Sequence, residues 1–255
     1  MLLLRVVTVW LLATLPAVAQ RGASDVTFGH IHINSADPGK TIAFWTEIIG
    51  LSGWSRDSLN GVSTIGVLIL ITPRSPSGPS AGSAIDHIGF RVPDLQPFIG
   101  KLATTSYKSF QLPGDQLMID GPDGVRVELA EDSSMYAALQ FDHIQLCATR
   151  PKEVQAWYAK LFGARPGGQD QPNTSLIGGA ALSFAHADSV SPSAGRGIDH
   201  IAFEVKDLES FCKKLTDAGI KLDSPYQVLP QLKLSTAFLT DPSGARIELT
   251  EGLAH

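Results

Sequence analysis

The chain has 255 residues, 44% of them hydrophobic, so it can bury the core of one large domain or of two ordinary ones. Its formal net charge at pH 7 is −5, with histidines counted as neutral. Because such a chain has no basic field to neutralise phosphates, nucleic acid is disfavoured as a partner and a small molecule is favoured.

The first twenty residues have the pattern of a signal peptide. Arg5 precedes an apolar run over residues 6–13, and small residues lead up to Gln20. Cleavage before Gln20 would remove residues 1–19 and release a periplasmic or secreted protein that has no further membrane contact. The alternative is an uncleaved anchor, but two threonines and a proline interrupt a segment that is already short for a bilayer core of roughly 30 Å.

The first half of the chain predicts two helices, each between strands. Residues 40–49 have helical periodicity and are followed by a glycine, which is typical of a helix C-cap. A strand over 85–92 then leads into a second helix with Asp94 as its N-cap. A Gly-Pro-Asp-Gly turn precedes the last strand, 125–130.

The second half repeats this order, with a helix at 151–162, a second helix capped by Asp207 and a last strand at 245–250. The offset is 113 residues and becomes 120 at the last strand. Each half therefore reads as a domain of two strand-helix-strands modules, at 26–131 and 139–251. The connectors leave open whether modules pair within a half, across the halves or across a dimer, so a monomer and a homodimer are both compatible with the sequence.

Residues that can bind a metal recur with this repeat. Because strand side chains alternate between faces, each of them is predicted to lie on the polar face of its strand, opposite isoleucine, valine or phenylalanine. The three in one half come from three different strands. The set consists of His30, His87 and Glu128 in the first half and His143, His200 and Glu248 in the second.

Two neutral imidazoles and one carboxylate can hold one side of a divalent ion and leave positions for water or substrate. Zinc, manganese and ferrous iron all suit such ligands. Gly89 and Ala202, each two residues after a candidate ligand, would leave room for the substrate. The alternative for each single histidine is a half-buried polar residue on a sheet, copied with the rest of the duplication.

Six short motifs carry a resemblance that covers residues 26–251. They are Phe28-Gly-His-Ile-His, Ile85-Asp-His-Ile-Gly-Phe, Asp123-Gly-Val-Arg-Val-Glu, Phe141-Asp-His-Ile-Gln, Ile198-Asp-His-Ile-Ala-Phe and Ser243-Gly-Ala-Arg-Ile-Glu. The pattern resembles the vicinal oxygen chelate superfamily, which includes glyoxalase I, extradiol ring-cleaving dioxygenases and bleomycin-resistance-type binding proteins. The resemblance implies an α+β fold of four βαβββ modules, paired into two glyoxalase/dioxygenase-like domains whose curved mixed sheets surround a metal-containing cavity.

The resemblance also shows where this chain departs from known activities. The six candidate residues match the positions that bind iron or manganese in the extradiol enzymes, but Met118 and Phe238 stand where those enzymes have a tyrosine. Glyoxalase I adds a glutamate from the strand that closes a module, and here strands 67–72 and 181–186 offer no carboxylate. His186 at the end of the latter reads as an exposed residue. Both activities thus lack an expected part.

Several residues have two interpretations. His32 is either a hydrogen-bond donor to a metal-binding residue or itself an alternative ligand, and Gln145 replaces it in the second copy. Arg126 and Arg246 share the face of the glutamates and read as ordinary ion-pair partners rather than substrate anchors. Cys147 falls on a predicted strand and Cys212 on a predicted helix across the sheet, so no disulfide is expected.

Three hypotheses about function follow. The first is an exported divalent-metal-dependent enzyme, a lyase, isomerase or dioxygenase acting on a small oxygen-chelating or aromatic substrate. The second is a binding protein that sequesters a small molecule without catalysis. The third is that one of the two copies has become purely structural while the other keeps the active metal.

Overall fold

A computed structural model describes residues 25–253, so the predicted signal peptide lies outside the described residues. Within that range four βαβββ modules follow one another along the chain. None of the helices described is long and apolar enough to cross a lipid bilayer.

The four modules have the following bounds. Module 1 contains β1 (Val26–Ser35), α1 (Pro38–Ala43) with a π-helical continuation (Phe44–Ile49), β2 (Ser52–Arg56), β3 (Leu59–Thr64) and β4 (Val67–Pro73). Module 2 contains β5 (Ile85–Val92), α2 (Gln96–Leu102), β6 (Lys108–Leu112), β7 (Gln116–Asp120) and β8 (Arg126–Glu131). Module 3 contains β9 (Gln140–Ala148), α3 (Pro151–Phe162), β10 (Arg165–Pro166), β11 (Thr174–Ile177) and β12 (Ala180–His186). Module 4 contains β13 (Ile198–Val205), α4 (Leu208–Asp217), β14 (Ser224–Leu229), β15 (Leu234–Thr240) and β16 (Arg246–Glu251).

The helix ends follow from local chemistry. Gly50 and Gly163 end the first and third helices in the left-handed region, with φ of 97° and 67°. The carboxylate of Asp207 accepts a hydrogen bond from the backbone N–H of Ser210 at the start of α4. Helix α2 begins later than predicted, because the Asp94 carboxylate accepts from the N–H of Gln96 and forms a turn ahead of the helix.

The sixteen strands form two eight-stranded curved sheets. Sheet 1 has the order β14-β15-β16-β13-β1-β4-β3-β2 and contains modules 1 and 4. Sheet 2 has the order β10-β11-β12-β9-β5-β8-β7-β6 and contains modules 2 and 3. The first strands pair antiparallel at the centre of each sheet, β1 with β13 and β5 with β9. The predicted fold class is confirmed.

The two predicted domains, 26–131 and 139–251, need one correction. Each half supplies one module to each sheet, so neither half forms a sheet by itself. The reason is the pairing of first strands: β5 accepts β9 from the second half, which leaves β1 to pair with β13. This arrangement is one of those that the connector lengths left open.

The larger of two hydrophobic clusters among the described residues lies behind both sheets and under the helices. It includes Ile31 and Ile33 of β1, Ile88 and Phe90 of β5, and Trp45 after α1, all of them buried. These strand residues alternate with the candidate ligands, as the predicted parity requires. The core therefore fixes the sheets so that the candidate ligands lie on the opposite faces.

The two cysteines lie on different layers of the molecule. Cys147 is on β9 in sheet 2, whereas Cys212 is buried on α4, and both are free thiols in the described range. The expectation that no disulfide joins them agrees with this placement.

Replacing Gly163 by alanine should destabilise the protein by about 1 kcal/mol, because alanine is strained in the left-handed region. A Cβ at this position would meet open space, so the cost is conformational. Gly100→Ala is a matched control inside α2, where an added Cβ also meets nothing, and it should stabilise by up to about 1 kcal/mol. Urea unfolding measures both, and equal effects of the two variants would contradict this account of the helix end.

Candidate metal centres

The structure gathers potential metal ligands into two clusters, one on each sheet. In each cluster one candidate ligand atom per residue lies within 4.8 Å of the others. Site 1, on sheet 1, consists of His30 and His32 of β1, His200 of β13 and Glu248 of β16. Site 2, on sheet 2, consists of His87 of β5, Glu128 of β8 and His143 of β9.

All six predicted residues lie in these clusters, but their grouping differs from the prediction. The sequence suggested one trio per half of the chain. Instead, His30 joins His200 and Glu248, because β1 pairs with β13. Likewise, His143 of the second half joins the two predicted ligands of β5 and β8. Each cluster therefore takes residues from both halves.

In site 2 each histidine is held by the aspartate that precedes it in sequence. Nδ1 of His87 lies 2.8 Å from Oδ1 of Asp86, and Nδ1 of His143 lies 2.8 Å from Oδ2 of Asp142. Donating Nδ1–H to a carboxylate fixes the tautomer and leaves Nε2 as the electron-pair donor. Nε2 of His87 lies 3.3 Å from Oε2 of Glu128. The Asp-His dipeptide was visible in the sequence, but the role of the aspartate was missed.

The electrostatics of site 2 favour a cation. Burial by itself disfavours both charged forms of the His87–Glu128 pair, yet the pKa of Glu128 is lowered because His87 lies beside it. The pKa of His87 is raised, since the carboxylates of Asp86 and Glu128 outweigh its burial. The raised pKa of His87 therefore favours a proton on the ring beside these carboxylates. A divalent cation at Nε2 would replace that proton with a larger positive charge.

Gly89 has a different role from the one predicted. A Cβ built on it would lie 2.4 Å from both Cε1 and Nδ1 of His143. The space beside Gly89 is therefore filled by the His143 ring rather than kept for substrate. Its counterpart in sheet 1 is Ala202, which pairs with His30.

Site 1 is built on the same plan with one position changed. Nδ1 of His200 lies 2.6 Å from Oδ1 of Asp199, as in the Asp-His pairs of site 2. Before His30 the aspartate is replaced by Gly29, where a Cβ would lie only 3.2 Å from the carbonyl oxygen of Ala202. The close approach of β1 to β13 thus leaves little room for a side chain at this place.

Glu248 is the centre of site 1. Its Oε2 lies 3.2 Å from Nε2 of His30 and 3.2 Å from Nε2 of His200, and its Oε1 accepts a hydrogen bond of 2.7 Å from Thr236. Burial disfavours the ionised form, but these histidines hold the pKa of Glu248 well below its usual range. His32 lies beside them, and burial followed by the nearby histidines lowers its pKa well below the ordinary value. Its neutral imidazole is the form that binds metals.

The surroundings of the two sites differ. On the face of sheet 1 that carries site 1, four leucines form a buried cluster: Leu68, Leu70, Leu234 and Leu253. The strand residues of sheet 2 that match the first two are Ala181 and Ser183, which pair with His143 and Gln145. These small residues help to line a cavity of about 530 Å³ that Glu128 and His143 also line. Site 2 therefore opens into a cavity of substrate size.

Comparison with known proteins agrees with the fold and the motifs. Residues 140–249 match the family model of the Glyoxalase/Bleomycin resistance protein/Dioxygenase superfamily. The described first half contains two modules of the same βαβββ type. The second half of the chain therefore matches this superfamily in sequence, and the described chain as a whole has the two-sheet fold expected of it.

Two solved structures illustrate this superfamily fold. Glyoxalase I from Zea mays is 15% identical, with 89% of this chain and 92% of that chain covered and a TM-score of 0.68. A putative dioxygenase from Bacillus subtilis is 13% identical, with 90% and 87% covered and a TM-score of 0.61. At these identities the likeness concerns the fold. Among curated protein sequences, none matches the chain significantly.

The residues beside the two glutamates differ from the extradiol pattern. Met118 pairs with Glu128, and Phe238 pairs with Glu248, so the positions expected for a tyrosine lie beside the glutamates. Phe238 packs instead against Arg246, whose Cζ lies 4.2 Å from the ring centroid. The tyrosine of the extradiol pattern has no replacement of similar chemistry at these two positions.

The remaining candidates lie where the sequence suggested. Nε of Arg126 lies 3.0 Å from Asp120, and Arg246 lies 2.9 Å from Asp199, so both arginines are ion-pair partners of aspartates. The side chain of His186 is 63% exposed and belongs to neither cluster. None of the three contributes a ligand to the sites.

Replacing Gly89 by alanine should selectively disable site 2, because the new methyl group would displace the His143 ring from Asp142. Loss of such an orienting partner costs roughly 10–100-fold in metal affinity. Calorimetric titration with Zn²⁺ should show one of two binding events weakened by that factor. Gly53→Ala, at a strand position where a Cβ meets open space, is the control and should bind like the unaltered protein. Unchanged binding in Gly89→Ala would contradict the proposed position of His143.

Proposed function

We propose that the protein is an exported, divalent-metal-dependent enzyme of the vicinal oxygen chelate superfamily, a lyase, isomerase or dioxygenase that acts on a small substrate at site 2. One observation carries this proposal. Two imidazoles and one carboxylate converge at His87, His143 and Glu128, and the last two of these line a cavity of about 530 Å³. An ion held on one side by protein and open on the other is the arrangement that metal catalysis requires.

The donor set fits the metal ions of the proposal. Imidazole nitrogens and a carboxylate oxygen suit zinc, manganese and ferrous iron, so the ligands alone leave the identity of the metal open. Nε2 of His87 is buried and faces Oε2 of Glu128 at 3.3 Å, so both atoms are placed to coordinate one ion. The ion would supply Lewis-acid polarisation of a substrate oxygen.

The residues of the cavity support an oxygen-rich substrate. Its walls carry amide and hydroxyl groups that can donate and accept hydrogen bonds: Gln116, Gln140, Gln171, Thr174 and Ser183. Arg91 stands among them with Nε 2.7 Å from Asp142, the carboxylate that orients His143. Arg91 thus positions the ligand through Asp142, while the amides and hydroxyls orient a small molecule whose adjacent oxygens approach the ion.

A different cavity favours a second function, in which the protein binds a small molecule without catalysis, as a binding protein of the bleomycin-resistance type. A space of about 420 Å³ is lined by Phe28, Trp54, Val67 and Leu68 together with Ser63, Thr64 and four glycines, so its walls are mainly apolar. No charged residue lines this cavity. Gly179 lines both this cavity and that of site 2. A flat apolar molecule would fit there without contact to a metal.

Metal analysis of the purified protein should separate the two functions. We expect bound divalent metal, and we expect His87→Ala to lose the ion of site 2 together with turnover in a screen of small vicinal-oxygen substrates. His186→Ala removes an exposed histidine outside both clusters and should keep metal and turnover. A folded protein that takes up no divalent metal would overturn the enzyme proposal and favour the binding protein.

The proposal of export has its own test. Protein expressed from the full chain should be recovered outside the cytoplasm with Gln20 as its first residue, because residues 1–19 have the order of a cleaved signal. N-terminal sequencing of the exported fraction measures this directly. A chain lacking residues 1–19 is the control and should stay inside. Retention of the full chain inside the cell, with Met1 still present, would refute export.

A further inference from the structure

We propose that His32 is a fourth protein ligand, so that site 1 is a closed structural metal site while site 2 remains the open, reactive one. This inference rests on the proposed metal binding by both clusters. It assigns different tasks to two sites that arose from the same repeat.

The internal symmetry of each sheet shows where a fourth ligand is missing. Each sheet combines two modules, so two first strands and two last strands face each cluster. Both first strands supply a histidine, but only one last strand supplies a glutamate. The residue two positions after each first-strand histidine pairs with a residue of the neighbouring last strand. In two of these pairs the last-strand residue is a glutamate: Glu248 beside Ala202, and Glu128 beside Gly89. In the other two it is Leu70 beside His32, and Ser183 beside Gln145. Leu70 and Ser183 therefore stand where a second glutamate would complete each site.

His32 compensates for the leucine in site 1. Its ring centroid lies 4.6 Å from that of His200 and 5.8 Å from that of His30. One of its nitrogens is within 4.8 Å of the candidate ligand atoms of the other three residues. His32 thus brings a third imidazole to the cluster from β1, at the position that pairs with Leu70 of β4.

The two ring nitrogens of His32 have different surroundings. Nε2 contacts the hydroxyl of Thr72 on β4. Nδ1 is buried and has no hydrogen-bond partner among residues 25–253. A buried polar atom left without a partner costs about 1–3 kcal/mol, and coordination to a cation would remove that cost. Thr72 holds the ring, and Nδ1 is the atom left to bind.

The second copy lacks both members of this arrangement. The residue in place of His32 is Gln145, whose amide donates to the backbone oxygens of Leu146 and Ser183 rather than to the cluster. The residue in place of Thr72 is Ala185, which pairs with Cys147 on β9. Site 2 therefore keeps three ligands.

The residues that surround the two sites agree with a closed site 1 and an open site 2. Leucines pack beside site 1, whereas site 2 adjoins a cavity of about 530 Å³. Structural zinc sites have four protein ligands, whereas catalytic sites have three and keep an open position. An ion in site 1 would tie β1 of the first module to β13 and β16 of the last. Its binding energy would thus stabilise sheet 1.

The test uses the full protein loaded with Zn²⁺ or Co²⁺ and the substitution His32→Gln, which copies the residue of the second site. In the unaltered protein one ion should leave quickly with a chelator and the other slowly, and Co²⁺ should show the intense visible absorption of a four-coordinate site. His32→Gln should speed the slow release by more than about 100-fold, since loss of an outer-shell partner alone costs roughly 10–100-fold. It should also abolish the rise in melting temperature that the slow ion gives. His87→Gln is the control that removes the fast ion and leaves the slow one.

A second variant tests the same idea by gain. Gln145→His combined with Ala185→Thr should make the ion of site 2 slow to leave. If His32→Gln does not fold, this gain decides, and a fast ion at site 2 in the double variant would then overturn the inference. Equal release of both ions from the unaltered protein, or unchanged slow release in a folded His32→Gln, would also overturn it while the proposed function stands. Absence of metal from both sites would overturn both.

Discussion

The antiparallel pairing of first strands is the contact on which both sites depend. β1 and β13 meet at the centre of sheet 1, and β5 and β9 meet at the centre of sheet 2. This pairing sets one histidine from each module side by side, and the parallel neighbours β16 and β8 then bring a glutamate to each pair. A slip of one residue would turn every imidazole into the hydrophobic core. The core that fixes this register therefore also fixes the ligands.

Buried charge is the second constraint. Five carboxylates lie in or directly behind the two clusters, and ionised carboxylates out of water are costly unless cations balance them. In site 2 and at His200, the aspartate preceding each histidine accepts a hydrogen bond from Nδ1 of the ring, so the imidazole shares its negative charge. Before His30 a glycine stands instead, at a position where β1 and β13 approach closely and leave little room for a side chain. The same strand carries His32, so site 1 exchanges an orienting carboxylate for an additional imidazole.

Periodicity and capping residues made much of the architecture predictable. Helix α3 has the predicted bounds, and the alternation that put Ile31 and Ile88 in the core also put the six ligands on the opposite face. The grouping of the ligands was not predictable in this way, because it depends on which remote strands pair. Nor was the difference between the sites, since it depends on how Leu70 and Ser183 pack beside residues far away in sequence. The π-helical turn after α1 has no local signal that we recognise.

Because modules 2 and 3 lie between modules 1 and 4 in the chain, the strands of the two sheets are completed at different times during synthesis on the ribosome. Sheet 2 is made from the two middle modules, so every strand it needs has been translated once His186 is added. Sheet 1 joins the first module to the last and must wait for Glu251. Contacts between such distant segments carry a larger loop-closure entropy and form more slowly than contacts between adjacent ones. In the growing chain β1 therefore lacks its partner until β13, Ile198–Val205, has been made, and the strands of the inner sheet are complete before those of the outer one.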